Sequence, residues 1–360
     1  MTIREVNRAT LARQMLLGRE KSSLTRAVSR LLGLQAQLPR PPVIGLWSRL
    51  EGVSRADVLG ALSGRSLVRA TAMRGTIHLM TAADFVKFRA CLQASLDAGM
   101  HAILRDGARK LDLPALGASA AAFFRKPHTF EEARAHLASV FPGGDQRAMG
   151  YAARMSVPLV QVPGDDRWGF PPQACFVSAE AWLGKPVAPC ASPDGLLLRY
   201  LEAYGPATLR DAQAWLGLGG LEPALARLGP KVVTLPGPDG KPLYDVPGAP
   251  RPDGDTPAPV RFLPEWDSVV VTRADARVVA RAHRPRVFLP GLRVAATVLV
   301  DGVAGATWKV AATARKATLQ VDSFTRWPAS VRREVEEEGS ALLRFVEPGA
   351  KAYDVQVTTS

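Results

Sequence analysis

Two glutamines, Gln35 and Gln37, are the residues whose type and spacing first suggest chemistry. They stand two positions apart in the segment LLGLQAQLPR, just before Pro39. On a helix, residues i and i+2 lie about 200° apart, so the pair cannot share a helix face. The two side chains can converge where a helix ends and the chain turns, and Pro39 predicts such an ending. From spacing alone, two solvated polar residues near a helix terminus is the simpler interpretation.

The elements around this pair follow the order helix, helix, hairpin. Apolar spacing predicts a helix over 23–32, a short helix carrying Leu46 and Trp47, and a further helix capped by Ser54. Two strands, over 67–72 and 76–80, then meet through Met73-Arg74-Gly75. This order is typical of a winged helix, a relative of the helix-turn-helix.

The same order recurs twice, without an obvious sequence repeat. We therefore expect three tandem winged-helix units, at residues 1–80, 81–190 and 191–248. Thr81, Thr129 and Thr208 are predicted helix caps in the later units. The other elements predicted there are helices near 147–154, over 196–204 and over 221–228, and hairpins of strands 159–162 with 168–170 and 232–235 with 243–246.

Residues 249–259 are rich in Pro, Gly and Asp and read as a linker. Strands predominate after it, so we expect a β-barrel-like domain over 260–360. The fold class predicted is α+β, with three winged-helix units and this C-terminal domain. Its predicted elements are strands 260–263, 268–272, 278–280, 293–300, 306–311 and 318–321, a helix over 329–345 and a last strand near 353–357.

The net charge of +13, carried mainly by arginine, favours a polyanionic partner. Arginine forks contact phosphates and guanine edges well. A GC-rich coding sequence would also enrich arginine, so the charge alone does not decide whether the partner is a nucleic acid. No apolar run reaches the roughly 18 residues of a membrane span, and the N-terminus lacks an apolar leader. We expect a cytoplasmic protein with no membrane partner.

The three cysteines are scattered, without a CxxC pair, and the five histidines complete no zinc pattern. We expect neither a disulfide framework nor a metal. The chain also lacks a Walker loop and a GxGxxG segment that opens a helix, which argues against an NTPase or a dinucleotide enzyme. No cofactor is therefore expected.

Five segments together resemble the AlkZ/YcaQ-type DNA glycosylases. They are LLGLQAQLPRPPVIGLWSRL, VRATAMRGTIHLM, YGPATLRDAQAWLGL, FLPEWDSVVV and VLVDGVAGATWKV. The resemblance runs from about residue 5 to the end and rests mostly on the QxQ beside a proline, followed by RGTIHL. It implies three winged helices around a C-terminal β-barrel. It also places the chain in the QxQ branch, whose members unhook interstrand crosslinks and remove bulky N7-alkylguanines.

The resemblance implies that Gln35 and Gln37 are the catalytic pair. An amide is a poor general base, but a purine alkylated at N7 is cationic and its glycosidic bond is already labile. Two amide oxygens can position a water and face an oxocarbenium-like sugar. A neutral, unmodified base should resist so mild a site.

The candidate DNA contacts are Arg40, Arg49, Arg74, His78 and Lys309. Arg74 occupies the tip of the first hairpin, and His78 follows on its second strand. Structural roles are equally open for both residues, because a strand histidine can be satisfied by a backbone partner. Trp308 is expected in the core, with Lys309 free to face phosphate.

The leading interpretation is a monofunctional DNA glycosylase that acts as a monomer on alkylated or crosslinked duplex DNA. The alternative is a non-catalytic winged-helix DNA-binding protein, such as a transcriptional regulator. Regulators of that class usually dimerise on palindromic sites, and the chain shows no long heptad segment for dimerisation. A protein-binding scaffold is a third interpretation, which the charge disfavours.

Overall fold

A computed structural model of the chain describes residues 1–271 and 276–360, and of Arg109 only the backbone. Helices make up most of the first two thirds of the chain and also occur in the last third. They are α1 (Ile3–Arg13), α2 (Leu24–Arg30), α3 (Arg40–Trp47), α4 (Arg55–Ser63), α5 (Ala82–Phe88), α6 (Gln93–Leu104), α7 (Asp106–Arg109), α8 (Leu113–Phe123), α9 (Phe130–Val140), α10 (Gln146–Ser156), α11 (Ala179–Leu183), α12 (Asp194–Tyr204), α13 (Leu209–Leu216), α14 (Glu222–Leu228), α15 (Ser268–Val271), α16 (Arg284–Val287) and α17 (Ala329–Val346).

Within the described residues, the strands form four separate antiparallel or mixed sheets. They are β1 (Leu34–Gln35), β2 (Leu67–Thr71), β3 (Ile77–Thr81), β4 (Leu159–Gln161), β5 (Phe176–Ser178), β6 (Val233–Pro236), β7 (Pro242–Asp245), β8 (Arg261–Leu263), β9 (Phe288–Leu289), β10 (Arg293–Val294), β11 (Thr297–Val300), β12 (Val303–Ala312), β13 (Lys316–Ser323) and β14 (Ala352–Thr359).

Side-chain caps begin many of the helices. Ser54, Thr129 and Thr208 each form a capping box with an acidic residue three positions later. Thr81 accepts a hydrogen bond from the amide of Asp84 at the start of α5. These four helix starts confirm the predictions made from the sequence.

The first sheet, in the order β1-β3-β2-β4-β5, joins two of the predicted units. Strands β2 and β3 form the hairpin that the sequence predicted, and Ala70 lies opposite His78 in it. Strand β2 also pairs with β4, which brings Arg69 opposite Gln161. The two hairpins are therefore parts of one sheet.

The predicted second strand at 168–170 is wrong. Strand β4 pairs instead with β5, where Val160 lies opposite Val177. Gly169 adopts a φ of +85°, which breaks an extended run. Pro171 and Pro172 follow it and have no amide to donate to a ladder. Residues 168–170 form part of a loop.

The third hairpin, β6–β7, follows helices α12 to α14 as predicted. Tyr200, Tyr204 and Trp215 are buried beneath it and pack ring against ring. The assignment of winged-helix units with boundaries at 80, 190 and 248 stays a prediction.

The C-terminal sheet has the order β14-β13-β12-β11-β8 and is open. Strands β13 and β14 are parallel, and the other neighbours are antiparallel. Helix α17 covers one face, with Val335 and Leu342 in the core beside Phe262. The predicted barrel is wrong, since β14 and β8 are free edges in the part of the chain that the structure describes.

Two short predicted strands in this region are also wrong. Residues 268–271 are helical, because the Asp267 carboxylate accepts the Val269 amide at 3.0 Å and starts a turn; the predicted end at 272 lies outside the described residues. Residues 278–280 form a turn and not a strand. Val278 and Val279 are buried there, which gives the same apolar pattern as a short buried strand. Short apolar runs do not distinguish these cases.

A disulfide joins Cys91 to Cys190, which the sequence analysis did not expect. The two residues are 99 positions apart, so spacing gives no signal for the pair. None of the described helices is long and apolar enough to cross a membrane.

Candidate active site

The segment that carries the two glutamines is a turn between α2 and α3. Helix α2 ends at Arg30, and Leu32 and Gly33 then adopt φ of +54° and +91°. A Cβ on Gly33 would lie 3.0 Å from the Leu79 carbonyl, so only glycine fits there. The chain next forms β1, which pairs Gln35 with His78 of β3. Pro39 precedes α3 rather than ending a helix, which corrects the predicted role of this proline.

Gln35 is almost buried, at 8 % exposure. Its Oε1 accepts a hydrogen bond of 3.1 Å from Nη2 of Arg74, and Nη1 of the same arginine donates to the Trp215 carbonyl. Arg74 lies at the hairpin tip as predicted, with a φ of +57°. Its side chain turns inward to Gln35, however, and burial lowers the pKa of this guanidinium. Arg74 is therefore a support for the glutamine in this structure.

Gln37 is exposed, and its Oε1 accepts the Ile77 amide at 2.8 Å. Both amides of the pair thus face obligate donors, the Arg74 guanidinium and a backbone N–H. An amide oxygen must occupy each of these positions, so the orientation of both side chains is fixed. Each oxygen keeps one lone pair for a further partner.

Arg69 of β2 lies beneath the glutamine turn and stabilises it through hydrogen bonds. Its Nε and Nη2 donate to the Ala36 carbonyl at 2.9 and 2.8 Å, and Nη2 reaches the Gln37 carbonyl at 3.0 Å. Nη1 donates to Oε1 of Gln161 on β4. Burial, and then the nearby charge of Arg154, lowers the pKa of Arg69 to about 10. Sequence reasoning missed this role, although a charge at the centre of the apolar strand LVRAT is a signal for an internal partner.

His78 is fully buried, so the prediction that it contacts DNA is not supported by its position. Its Nδ1 lies 3.1 Å from the Thr76 carbonyl and must donate to it. The ring meets Trp215 edge-on at 6.4 Å. Burial, and then the charge of Arg74, lowers the pKa of His78 to about 3. The residue is a neutral support behind Gln35, as the alternative interpretation had it.

The other candidate DNA contacts fall into two groups. Arg49 is 1 % exposed and holds Asp267 through two bonds of 2.8 and 2.9 Å, so its guanidinium cannot meet phosphate in this structure. Arg40 is half-buried and pairs with Glu265 at 2.7 Å. Lys309 is exposed on β12, next to the buried Trp308. Of these candidates, Lys309 alone has a side chain without a hydrogen-bond or ion-pair partner among the described residues, which is the exposure that the sequence analysis expected.

Two open grooves meet at the glutamine turn. The first, here the aromatic groove, has a volume of about 640 Å³ and is lined by Gln37, Leu38, four aromatic side chains, three arginines and two carboxylates: Phe130, Trp168, Phe170, Phe176, Arg69, Arg134, Arg154, Glu131 and Asp166. The second, here the sheet groove, measures about 740 Å³ and is lined by Leu38, Trp266, Arg293 and Lys309 among others. Leu38 lines both grooves and is 48 % exposed. The glutamine turn is thus a ridge between two partly cationic channels.

The chain belongs to the AlkZ-like DNA glycosylase family, whose model matches residues 28–345. Among solved structures it is similar to the Streptomyces sahachiroi DNA glycosylase AlkZ, with a TM-score of 0.80. The two chains are 20% identical over 99% of this chain and 100% of that one, which shows a common fold. No curated protein matches the chain. The family predicted from the QxQ and RGTIHL segments is confirmed.

Proposed function

We propose that this protein hydrolyses the N-glycosidic bond of N7-alkylated purines in duplex DNA, crosslinked bases included. The observation that carries the proposal is the pair of oriented amides on the ridge between the two grooves. Neither amide is hydrogen-bonded to a carboxylate within the described residues. Such a pair can hold a water and face a cationic sugar, but it is a poor general base.

When the base is already a cation, the reaction needs little more than a positioned water and two oriented amides. The oxygen of one water bonds to C1′ of the sugar, and the bond from C1′ to N9 breaks. The electron pair of that bond passes to the purine, which becomes neutral, and a proton of the water leaves. Positioning and preorganised dipoles lower the barrier to this step. An unmodified purine is a poorer leaving group and should remain attached.

The two glutamines divide the work by their exposure. Gln37 is open to the grooves and keeps one lone pair on Oε1, so we assign it to the positive charge that develops on the sugar. Gln35 lies deeper in the protein, and we assign its remaining lone pair to the water. Arg74 and Arg69 keep these positions fixed, which spares the enzyme from ordering them during the reaction.

The open grooves suit a base that stays in the duplex. Crosslinked bases cannot easily be flipped, so a site for them should be exposed on a concave surface. Because Leu38 lies between two cationic channels, a duplex can lie across the ridge with phosphates on both sides. A single chain supplies both channels, which favours a monomer as the active form.

We also propose that the enzyme is monofunctional and leaves an intact strand with an abasic site. A lyase would need an amine near C1′. Among the described residues, no lysine lines the aromatic groove, and Lys309 lies in the sheet groove. If the wild type cut the strand and Lys309→Ala did not, this assignment would be wrong.

The decisive experiment measures release of N7-methylguanine from duplex DNA under single-turnover conditions, without metal or nucleotide. We expect Gln35→Ala and Gln37→Ala each to lower the rate about a hundredfold. DNA affinity should be retained, because amides contribute little to phosphate binding. Gln213→Ala is the matched control, since the side-chain amide of this glutamine donates to Glu222 at the surface, away from the glutamine pair. It should excise at the wild-type rate.

Gln37→Asp sharpens the test, because it adds a carboxylate that faces the developing positive charge on the sugar. We expect it to keep activity on N7-methylguanine and to lose activity on bulky adducts. A double alanine variant as fast as the wild type would show that the glutamines are bystanders. A wild type that binds duplex DNA and excises no N7-alkylated base would favour the non-catalytic DNA-binding protein.

A further inference from the structure

Glu265 is a carboxylate close to the glutamine pair that the proposed reaction has not yet used. It lies in the segment FLPEWDSVVV, between β8 and α15. Its Oε1 accepts a hydrogen bond of 2.7 Å from Nη2 of Arg40, the first residue of α3. Its Oε2 is buried and has no hydrogen-bond partner among the described residues. A buried carboxylate oxygen without a donor is costly, so it calls for a ligand that donates.

A small cavity supplies the place for such a ligand. Gln35 and Glu265 line it together, with Gln14, Arg49 and Asp267 among the other polar groups. Its volume open to the centre of a water molecule is about 10 Å³. That is close to the least that a single water needs, and a buried water also needs two or more polar partners. The cavity is therefore sized and lined for one water.

Most of the other polar groups of the cavity are already engaged. Arg49 and Asp267 bond each other through two hydrogen bonds, and the Gln14 amide donates to the Ala203 carbonyl at 2.7 Å. Nε of Arg49 is buried without a partner among the described residues. Oε2 of Glu265, the amide of Gln35 and Nε of Arg49 are therefore the groups left to hold the water. The hydrogen bond from Arg40 orients the carboxylate.

Glu265 also connects this cavity to the surface that would meet DNA. Its side chain is 23% exposed and lines the sheet groove, together with Leu38 and Lys309. A water held by Oε2 thus lies between the glutamine turn and an open cationic channel. No other carboxylate lines both the cavity and this groove, as far as the structure describes the chain.

We infer that Glu265 is a further catalytic residue, which holds the attacking water against Gln35 and accepts its proton. The inference rests on the proposed glycosylase function. In the step, the water oxygen bonds to C1′ while one of its protons moves to Oε2, and the bond from C1′ to N9 breaks with its electron pair on the purine. Glu265 then releases the proton to solvent through the sheet groove. The ionised carboxylate also offsets the positive charge on the sugar.

The test compares Glu265→Gln with the wild type in the N7-methylguanine assay. The variant keeps the shape and removes the charge. We expect its single-turnover rate to fall about a hundredfold. Its affinity for undamaged duplex should stay equal or rise, because a negative charge is lost beside the DNA. A purely structural role would lower rate and affinity together with the melting temperature.

Glu338→Gln is the matched control, since Glu338 also pairs with an arginine, Arg19, at 2.6 Å and is 15% exposed. It should excise at the wild-type rate. If Glu265→Gln does not fold, Glu265→Asp takes its place. This variant keeps the negative charge, so its DNA affinity should be unchanged. Its carboxylate lies farther from the water because the side chain is shorter, and the rate should fall about tenfold.

The outcomes separate this inference from the function on which it rests. A Glu265→Gln variant that excises at the wild-type rate, while the glutamine variants are impaired, overturns the role of Glu265 alone. A wild type that excises nothing overturns both. A rate that falls with unchanged affinity and melting temperature supports the inference.

Discussion

The arginines beneath the glutamine turn and the cationic side chains on the C-terminal sheet differ in where they point and in what they bind. Arg49, Arg69 and Arg74 turn inward, where carbonyls, amides and Asp267 occupy their donors. Arg293 and Lys309 face the sheet groove and have no carboxylate partner among the described residues. The net charge of +13 therefore overstates the charge offered to DNA. Part of it is internal scaffolding for the candidate site.

The largest difference between the two regions should be in stability. Arg49→Met leaves the Asp267 carboxylate buried without its partner, and this should lower the free energy of unfolding by about 3–5 kcal/mol. Removing both charges in Arg49→Met/Asp267→Leu should recover much of that loss. Urea unfolding of the three proteins measures the effect. A single variant as stable as the wild type would contradict the internal role of Arg49.

The next effect concerns the rate of excision. Arg69→Met removes the clamp on the Ala36 and Gln37 carbonyls, so Gln37 loses its fixed position. We expect a rate loss of about a hundredfold, since small displacements of a positioned group are that costly. Arg154→Met is the control, because Arg154 lines the same groove, lies over the Phe130 ring and, within the described residues, makes no hydrogen bond to the turn. Equal losses in both variants would show that groove charge, and not the clamp, matters.

His78 gives the interior a dependence on pH. Its pKa is about 3 when folded and near 6.5 when unfolded, so the unfolded state binds more protons below pH 6.5. This part of the stability is present above pH 6.5 and is lost as the pH falls toward 3. Between pH 7.5 and 5 the loss should be about 2 kcal/mol. His78→Asn keeps a donor for Thr76 and should show a loss smaller by that amount, as measured by urea unfolding.

The smallest effects should come from the sheet groove. Lys309→Ala and Arg293→Ala should each reduce the slope of log affinity against log salt by about 1, with stability changed by less than about 0.5 kcal/mol. Anisotropy titrations across a salt series measure the slope. Unchanged slopes would place the DNA away from this groove and leave the aromatic groove as its main contact.

The sequence predicted the elements of the helical part well because their signals are local. The caps at Ser54, Thr129 and Thr208 lie within three residues of the amides that they satisfy. The pairing of β4 with β5 was missed, because the turn signals at 163–166 were nearer than the true partner. The open edge at β14 was also missed, since local patterns do not reveal whether a sheet closes.

The sequence predicted the residues at the centre of the candidate site, but it did not predict the contacts that hold them in position. Gln35, Gln37 and Arg74 were found from a motif and a turn. The inward direction of Arg74, the burial of His78 and the pairing of Arg49 with Asp267 depend on contacts over 39 to 218 positions of chain. Spacing carries no information on such contacts, and an arginine in a basic chain is read by default as a surface residue.

If the proposed reaction takes place at the glutamine pair, the pairing of β2 with β4 gives residues of β4 an influence over it. Gln161 on β4 accepts from Arg69, and Arg69 holds the carbonyl of Gln37. Substitutions on the far strand can therefore shift the attacking geometry by fractions of an ångström while every reacting group is preserved. Substitutions on β4 can therefore change which adducts are preferred without any change in the QxQ motif. Enzymes with the same motif and different preferences should differ at this strand and its neighbours.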